Sequence, residues 1–337
     1  MRIGILTSGG DCPGINATIR GVCKTAISHY GMEVYGIRSG FRGLLDNDII
    51  PLDENSLTGL LSMGGTILGT SREKPFKNRA NVPVSEDKPA MMLKTIRERK
   101  LDCVVCIGGN GTQKTAAKLA ATGVNVVTVP KTIDNDVWGT DISFGFDSAV
   151  SIATEAIDRL HSTASAHQRV MVIEVMGHKA GWIALYSGMA GGGDIILLPE
   201  IPFDIHRIGD TIISRLKKGK PYSIVVVAEG IPTLGGKKAA QYIAEEIEYE
   251  TGFETRETVL GYIQRGGGHT AFDRNLATRM GGHATELIAS GQFGRMVSLR
   301  GSEITSVPLS EVAGKLKLVT WEHDLVIQGR RMGICFG

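Results

Sequence analysis

The stretch LDCVVCIGGNGTQKTAAKLAA, residues 101–121, decides the fold class. Residues 102–107 form an apolar, β-branched run without polar alternation, as expected of a strand covered on both faces. Gly108, Gly109, Asn110 and Gly111 then break the chain, and 112–121 has a helical pattern. Strand, glycine turn and helix make one βα unit, and the same rhythm recurs on both sides. Further strands are predicted at 2–7, 33–37, 125–129, 170–175, 195–199, 223–228, 259–263 and 296–299, and helices at 16–30, 88–99, 148–162, 205–218, 237–251 and 271–290. Near-continuous Val/Ile runs alternating with helices predict an α/β fold of doubly wound, mostly parallel sheets. No internal repeat shows beyond this rhythm, and no Pro- or Ser-rich linker interrupts it.

A chain of 337 residues is too long for one ordinary core and suits two domains. With 42% hydrophobic and 21% charged residues it has the balance of a globular protein, not of a disordered one. The net charge of +2 gives no basis for a nucleic-acid or membrane surface, so anion binding must come from local sites. No apolar run reaches the ~18 residues of a transmembrane helix, and MRIGILTSGGD reads as a strand entering a turn, not as a signal peptide. Five irregularly spaced cysteines fit a reducing cytoplasm. Cys103 and Cys106 make a CxxC inside the apolar run 101–108, read as core positions in preference to a redox or zinc motif.

In doubly wound sheets ligands sit at the carboxyl ends of the strands, where this chain spends its glycines. Ser8, Gly9, Gly10, Asp11, Cys12, Pro13 and Gly14 join a strand to a helix, either as a bare tight turn or as an anion cradle of backbone N–H groups. The series 108–112 is a second such turn, in which Thr112 offers a helix N-cap or a phosphate ligand. Pro130, Lys131, Thr132, Ile133, Asp134, Asn135 and Asp136 crowd a strand end. Two close carboxylates can divide the roles of general base and Mg²⁺ ligand, although an Asx-rich turn accounts for part of the pattern. Arg72, Arg169, Arg256 and Arg265 add loop cations whose forked guanidinium groups match phosphate, and Arg265 precedes Gly266, Gly267 and Gly268. Together these features point to phosphoryl transfer onto a small anionic substrate, which needs positioning, charge neutralisation and a metal more than covalent help.

The series TSGGDCPGINATIRG (7–21), GGTILGTSR (64–72), IGGNGT (107–112), PKTIDND (130–136), GTDISFGFDSA (139–149), HQRVMVIEVMGHKAG (167–181), VAEG (227–230), ETRETVLGYIQRGG (254–267) and FDRNLATRMG (272–281) resembles the 6-phosphofructokinases over nearly the whole chain. The resemblance implies two Rossmann-like lobes with the active site in the cleft. A larger phosphate-donor lobe is expected at 1–145 plus about 266–312, and a smaller sugar-phosphate lobe at about 146–265 plus 313–337. It implies transfer from ATP to the 1-hydroxyl of fructose 6-phosphate, as in glycolysis, with Mg²⁺, in a cytoplasmic homotetramer with shared active sites. Asp134 resembles the catalytic base, flanked by Thr132 and Asp136. Gly9 and Arg72 match positions that meet the transferred phosphate, and Gly108, Gly109, Asn110, Gly111, Thr112 and Lys131 complete the donor side. Met176, Gly177, His178, Glu229, Tyr262 and Arg265 match the sugar side, and Arg169 and Arg256 match arginines that reach a neighbouring subunit's sugar site.

Three positions depart from the family pattern. Asn110 stands where the family usually has an acidic Mg²⁺ ligand, so it keeps a carbonyl acceptor but loses the charge. His178 replaces an Arg of the best-known bacterial ATP enzymes, and Tyr262 replaces a common His. Donor choice is divided. Gly111 resembles the ATP branch, because an Asp there would crowd a nucleotide's α-phosphate, whereas Lys131 is required by pyrophosphate enzymes yet also occurs in one ATP-dependent branch. ATP is favoured on the steric argument. The resemblance also implies an effector site between subunits, its cationic positions partly kept in Arg20, Lys24, Lys218 and Lys220, with Asp194 available for the effector's Mg²⁺, although exposed Lys and Arg in the first helix equally suit any solvated face. The rival readings are a pyrophosphate-dependent enzyme, a non-catalytic sugar-phosphate sensor and a NAD-type dehydrogenase. The last lacks GxGxxG and its ribose-binding acid.

Overall fold

A computed structural model describes residues 1–77 and 87–337. In chain order its strands are β1 (Arg2–Ser8), β2 (Glu33–Ile37), β3 (Ile49–Leu52), β4 (Cys103–Gly108), β5 (Val126–Pro130), β6 (Val170–Val175), β7 (Ile195–Leu197), β8 (Ser223–Ala228), β9 (Thr255–Val259), β10 (Arg295–Arg300) and β11 (Glu303–Pro308). Its helices are α1 (Ile15–Lys24), α2 (Phe41–Asp46), α3 (Lys88–Glu98), α4 (Asn110–Ala120), α5 (Phe146–His167), α6 (Trp182–Ala190), α7 (Ile205–Lys217), α8 (Ala239–Thr251), α9 (Ala271–Ala289), α10 (Leu309–Val312) and α11 (Asp324–Arg331). The chain divides into two compact units. One holds Met1–Thr132, Val137–Gly145 and Gly266–Leu316, and the other Ile133–Asp136, Phe146–Arg265 and Lys317–Gly337.

The first unit is built on a seven-stranded sheet ordered β11-β10-β5-β4-β1-β2-β3. The pairs at its two ends, β10 with β11 and β2 with β3, are antiparallel, and the inner pairs are parallel. Every residue of β4 and β5 is buried, as strands with helices on both faces require. Each Val or Ile so removed from water stabilises the fold by about 1.5–3 kcal/mol. Register then places the functional loops. Ser8 pairs with Gly108 and Gly108 with Pro130, so β1, β4 and β5 end side by side at steps of about 4.8 Å.

The second unit carries a four-stranded parallel sheet ordered β7-β8-β6-β9. Val175 pairs with Ala228, and Glu174 with Val259, so the loops that start at Met176, Glu229 and Leu260 leave the same edge. The short segment Ile133–Asp136 belongs to this unit, because Lys317 N–H donates to the Asp136 carbonyl (2.9 Å) and Lys317 Nζ to Asn135 Oδ1 (2.9 Å).

Several expected elements change. The run 259–263 is not a strand. β9 lies earlier, and Gly261–Arg265 is a 3₁₀ turn with Ile263 68% exposed. The almost wholly polar sequence TRETV at the sheet edge hid the true strand. The helix expected at 16–30 is α1 followed by a π-helical turn at Thr25–His29, and the strand at 195–199 stops at Leu197. Cys103 and Cys106 are fully buried and free, and burial pushes the Cys103 thiol up to about 12, which fits core packing and not redox chemistry. Among the described residues no helix is long and apolar enough to cross a membrane.

Candidate active site

The three strand ends of the first unit carry the glycine turns and Lys131. Gly9 adopts φ +87°, a conformation that suits a residue without Cβ, and its N–H donates to the Ser71 carbonyl (3.0 Å). Thr70 Oγ1 returns a bond to the Gly9 carbonyl (2.6 Å), and Ser71 is tied to Ser39 (2.6 Å). These bonds fix the exposed Arg72 in the chain beside the Gly9 turn. Next door, Gly109 is the N-cap of α4 and Asn110 its first helical residue. The helix therefore begins two residues before the expected start, and Thr112 is not its cap. Thr112 is buried, and its hydroxyl donates to the Ser8 carbonyl (3.4 Å), linking the two turns. The opening N–H groups of α4 carry the partial positive charge that attracts anions.

Lys131 follows β5, and its ammonium donates to the Gly10 carbonyl. It is buried, and a Cβ on Gly9 would lie 4.0 Å from its Nζ. A cation is thus built into the floor of the first turn. The Thr132 carbonyl accepts from Ser143 Oγ (3.0 Å). Gly111 faces open space, since a Cβ there would meet nothing within 4 Å. No group of three or more His, Cys, Asp or Glu side chains suited to a metal exists among the described residues. Asn110 adds one neutral carbonyl beside a positive helix end, so these residues fit a phosphate better than a bare cation.

The second unit gathers Asp134, Asp136, His178, Glu229 and Arg265 into one electrostatic group. The Asp134 carboxyl is raised from 3.8 to about 6, first by burial and next by the Asp136 carboxylate, with Glu229 adding to the rise and Arg265 and His178 opposing it. Glu229 Oε1 accepts N–H bonds from His178 (2.7 Å) and Gly177 (3.3 Å), so it organises the loop after β6. Gly177 has φ +150°, and a Cβ there would lie 2.3 Å from the Ala180 carbonyl oxygen. Met176 N–H donates to Oε1 of the fully buried Gln264 (3.3 Å), one residue before Arg265.

Arg169 and Arg256 are not part of this group. Arg169 precedes β6 and Arg256 lies early in β9, opposite Met171, so both sit at the amino ends of strands some 20 Å from the Met176 loop. Both guanidinium groups share Glu254, Arg169 Nε at 2.6 Å from Oε2 and Arg256 Nη2 on Oε1. Tyr262 is 75% exposed. Among the expected effector residues, Arg20 and Lys24 are one turn apart on α1, while Lys218 and Lys220 follow α7 in the other unit. Both carboxylate oxygens of Asp194 have protein partners. One oxygen pairs with Arg215 (2.7 Å) and the other accepts the Ile224 N–H (3.0 Å). Gln264 and Lys317, which hold the Met176 loop and Asn135, escaped the sequence reading, because an anchoring amide or lysine carries no motif.

A family model described as Phosphofructokinase matches residues 2–288. The chain belongs to the phosphofructokinase family. It is 79% identical over 337 residues, all of both chains, to the ATP-dependent 6-phosphofructokinase 3 of Bacteroides thetaiotaomicron. It is 46% identical over 337 residues to the pyrophosphate–fructose 6-phosphate 1-phosphotransferase of Streptomyces coelicolor, covering 95% of this chain and 96% of that one. Among solved structures, the T-state phosphofructokinase of Pichia pastoris superposes with a TM-score of 0.85 at 32% identity, over 93% of this chain and 35% of that one. The phosphofructokinase fold therefore accounts for both sheets and for the loops at their carboxyl ends.

Proposed function

We infer that this phosphofructokinase transfers the terminal phosphoryl group of ATP to the 1-hydroxyl of fructose 6-phosphate, giving fructose 1,6-bisphosphate and ADP. The observation that carries the reading is a carboxyl raised to about 6 at Asp134, three residues beyond a buried lysine that floors a glycine turn. The 79% identity to an ATP-dependent enzyme supports ATP as the donor. The chain is continuous from Thr132 to Asp134, so their Cα atoms stay within about 7 Å of one another.

In this mechanism the Asp134 carboxylate takes the proton of the 1-hydroxyl as its oxygen attacks the γ-phosphorus and the bond to ADP breaks. The negative charge of Asp136 beside it disfavours a second negative charge and so keeps Asp134 basic. Gly9, Gly109, Gly111 and the α4 N-terminus receive the donor's phosphates, with Lys131 and Arg72 as counter-charges and Thr132 beside the transferred group. The Asn110 carbonyl would offer an oxygen to Mg²⁺ bound with ATP, which would supply neutralisation of phosphate charge. Glu229, Met176, Gly177 and His178 hold the sugar, and Arg265 and Tyr262 its 6-phosphate. The separation of Arg169 and Arg256 from this group supports their service to a neighbouring subunit in a homotetramer. A cytoplasmic location fits five free cysteines.

Lys131 is the observation that favours a second reading, with pyrophosphate as donor. The deciding experiment measures fructose 1,6-bisphosphate formed from fructose 6-phosphate and Mg²⁺ with ATP or with pyrophosphate in parallel. Turnover with ATP alone is expected. Turnover with pyrophosphate alone reverses the donor assignment, and silence with both overturns the enzymatic reading.

A further inference from the structure

The second unit has a charged cavity that the phosphoryl-transfer reading leaves unused. It measures about 580 Å³ and is lined by α7, α11 and the C-terminal run, including Arg207, Trp321, Arg330, Arg331 and Phe336. That volume lies in the ordinary range of small-molecule sites, about 300–1,000 Å³. Its walls are fixed. Cys335 bridges to Ile195 of β7, Cys335 N–H donates to the Asp194 carbonyl (3.1 Å), and the Phe336 ring packs so closely on α11 that a Cβ at Gly329 would lie 2.9 Å from it.

The charge of the lining is one-sided. It holds three arginines and no Asp or Glu. Elsewhere in this unit arginines have carboxylate partners, as Arg169 with Glu254 and Arg215 with Asp194. Arg207, Arg330 and Arg331 enter no ion pair among the described residues. Arg330 lies over the Trp321 ring at 5.2 Å, which holds the plane of its guanidinium and leaves the N–H edge for an in-plane acceptor. Even with a carboxylate at Gly337, two positive charges remain in excess. Like charges gathered in a walled cavity repel one another, and a bound anion with several acceptor oxygens relieves that repulsion through forked bonds. The expected effector lysines do not line this cavity. Lys220 lines a separate small recess with Arg169 and Tyr222.

We propose that this cavity is a binding site for a small organic polyanion carrying at least two phosphate or carboxylate groups, held by Arg207, Arg330 and Arg331. The test titrates the full-length protein with inorganic tripolyphosphate and follows Trp emission. A saturable change is expected that Trp321→Phe abolishes. Its midpoint should rise about tenfold or more in Arg207→Gln and in Arg331→Gln, as loss of a charge-assisted bond requires, and stay put in Arg72→Gln, which alters a cation of the first unit. Equal melting temperatures establish that the exposed-arginine variants fold. No Trp321-dependent change, or a midpoint indifferent to Arg207 and Arg331, or one that moves with Arg72 alone, overturns the proposal.

Discussion

The acid limb of the pH–rate profile should belong to Asp134. A carboxyl raised to about 6 is half ionised at pH 6 and about one-tenth ionised at pH 5, and only the ionised form accepts the substrate proton. The turnover number should fall in the same proportions, whereas a carboxyl at the ordinary 3.8 leaves the rate flat above pH 5. Burial is the main cause of the rise and the Asp136 carboxylate the next, so Asp136→Asn should move the limb to lower pH. Arg265 opposes the rise, so Arg265→Gln at saturating sugar should move it to higher pH. The same ionisation costs stability. Between pH 3.8 and about 6 the folded chain keeps a proton that the unfolded chain has released, so stability falls as pH rises through that window, by up to about 3 kcal/mol in total. Asp134→Asn removes this cost. In urea denaturation it should be the more stable protein at pH 7.5, with an advantage that shrinks below pH 6 and is gone by pH 3.8. The assay pairs initial rates at saturating substrates over pH 4.5–9 with those denaturation curves. A limb below pH 5 that ignores Asp136→Asn, with a stability difference independent of pH, refutes the assignment of Asp134 as a buried base.

Gly111→Asp should fold normally, because its Cβ enters open space, yet lose about a hundredfold or more in kcat/KM for ATP as the carboxylate repels the α-phosphate; an unchanged value rejects the steric account of donor choice. Asn110→Asp should lower the Mg²⁺ concentration that gives half-maximal rate, since a charged oxygen replaces a neutral one, and an unaltered Mg²⁺ titration removes Asn110 from the metal's surroundings. Gly177→Ala puts a Cβ 2.3 Å from the Ala180 carbonyl at a φ that L-residues rarely adopt, a strain of about 1–3 kcal/mol on the loop that Glu229 organises. Its KM for fructose 6-phosphate should rise about tenfold or more while the KM for ATP holds, and equal changes in both would show a general loss of fold.

The parallel cores were legible because strands buried on both faces must be continuous apolar runs, and 2–7, 102–107, 170–175 and 223–228 have no other reading. The glycine turns were legible for a related reason: a strand end followed by adjacent glycines leaves backbone N–H groups for a ligand. What escaped was polar, amphipathic or uniformly apolar. β3 and β11 are antiparallel strands at the ends of the first sheet, β9 is polar in all but its last residue, and α6 is so apolar, WIALYSGMA, that no helical period can show in it. The electrostatic group around Asp134 was half visible. Asp134 and Asp136 lie together in the sequence, but the rise to about 6 comes first from burial, which depends on what packs over the loop and leaves no local trace.

Lys131 and Gly111 pull donor choice in opposite directions at the level of motif, and the geometry of the first unit weighs them differently. The Lys131 ammonium is committed to the Gly10 carbonyl in the floor of the Gly9 turn, where the terminal phosphates of either donor would lie. A buried cation in that place attracts a phosphate whatever is attached to it, so it raises affinity without discriminating. In the proposed mechanism Gly111 discriminates, because a Cβ there meets nothing within 4 Å and that open space would serve a nucleotide's α-phosphate, which pyrophosphate lacks. Lys131→Met should therefore depress kcat/KM with ATP by orders of magnitude and leave the ratio of the two donors where it was, while Gly111→Asp moves the ratio. A Lys131→Met protein that lost ATP and gained pyrophosphate would show that the lysine, and not the space beside Gly111, selects the donor.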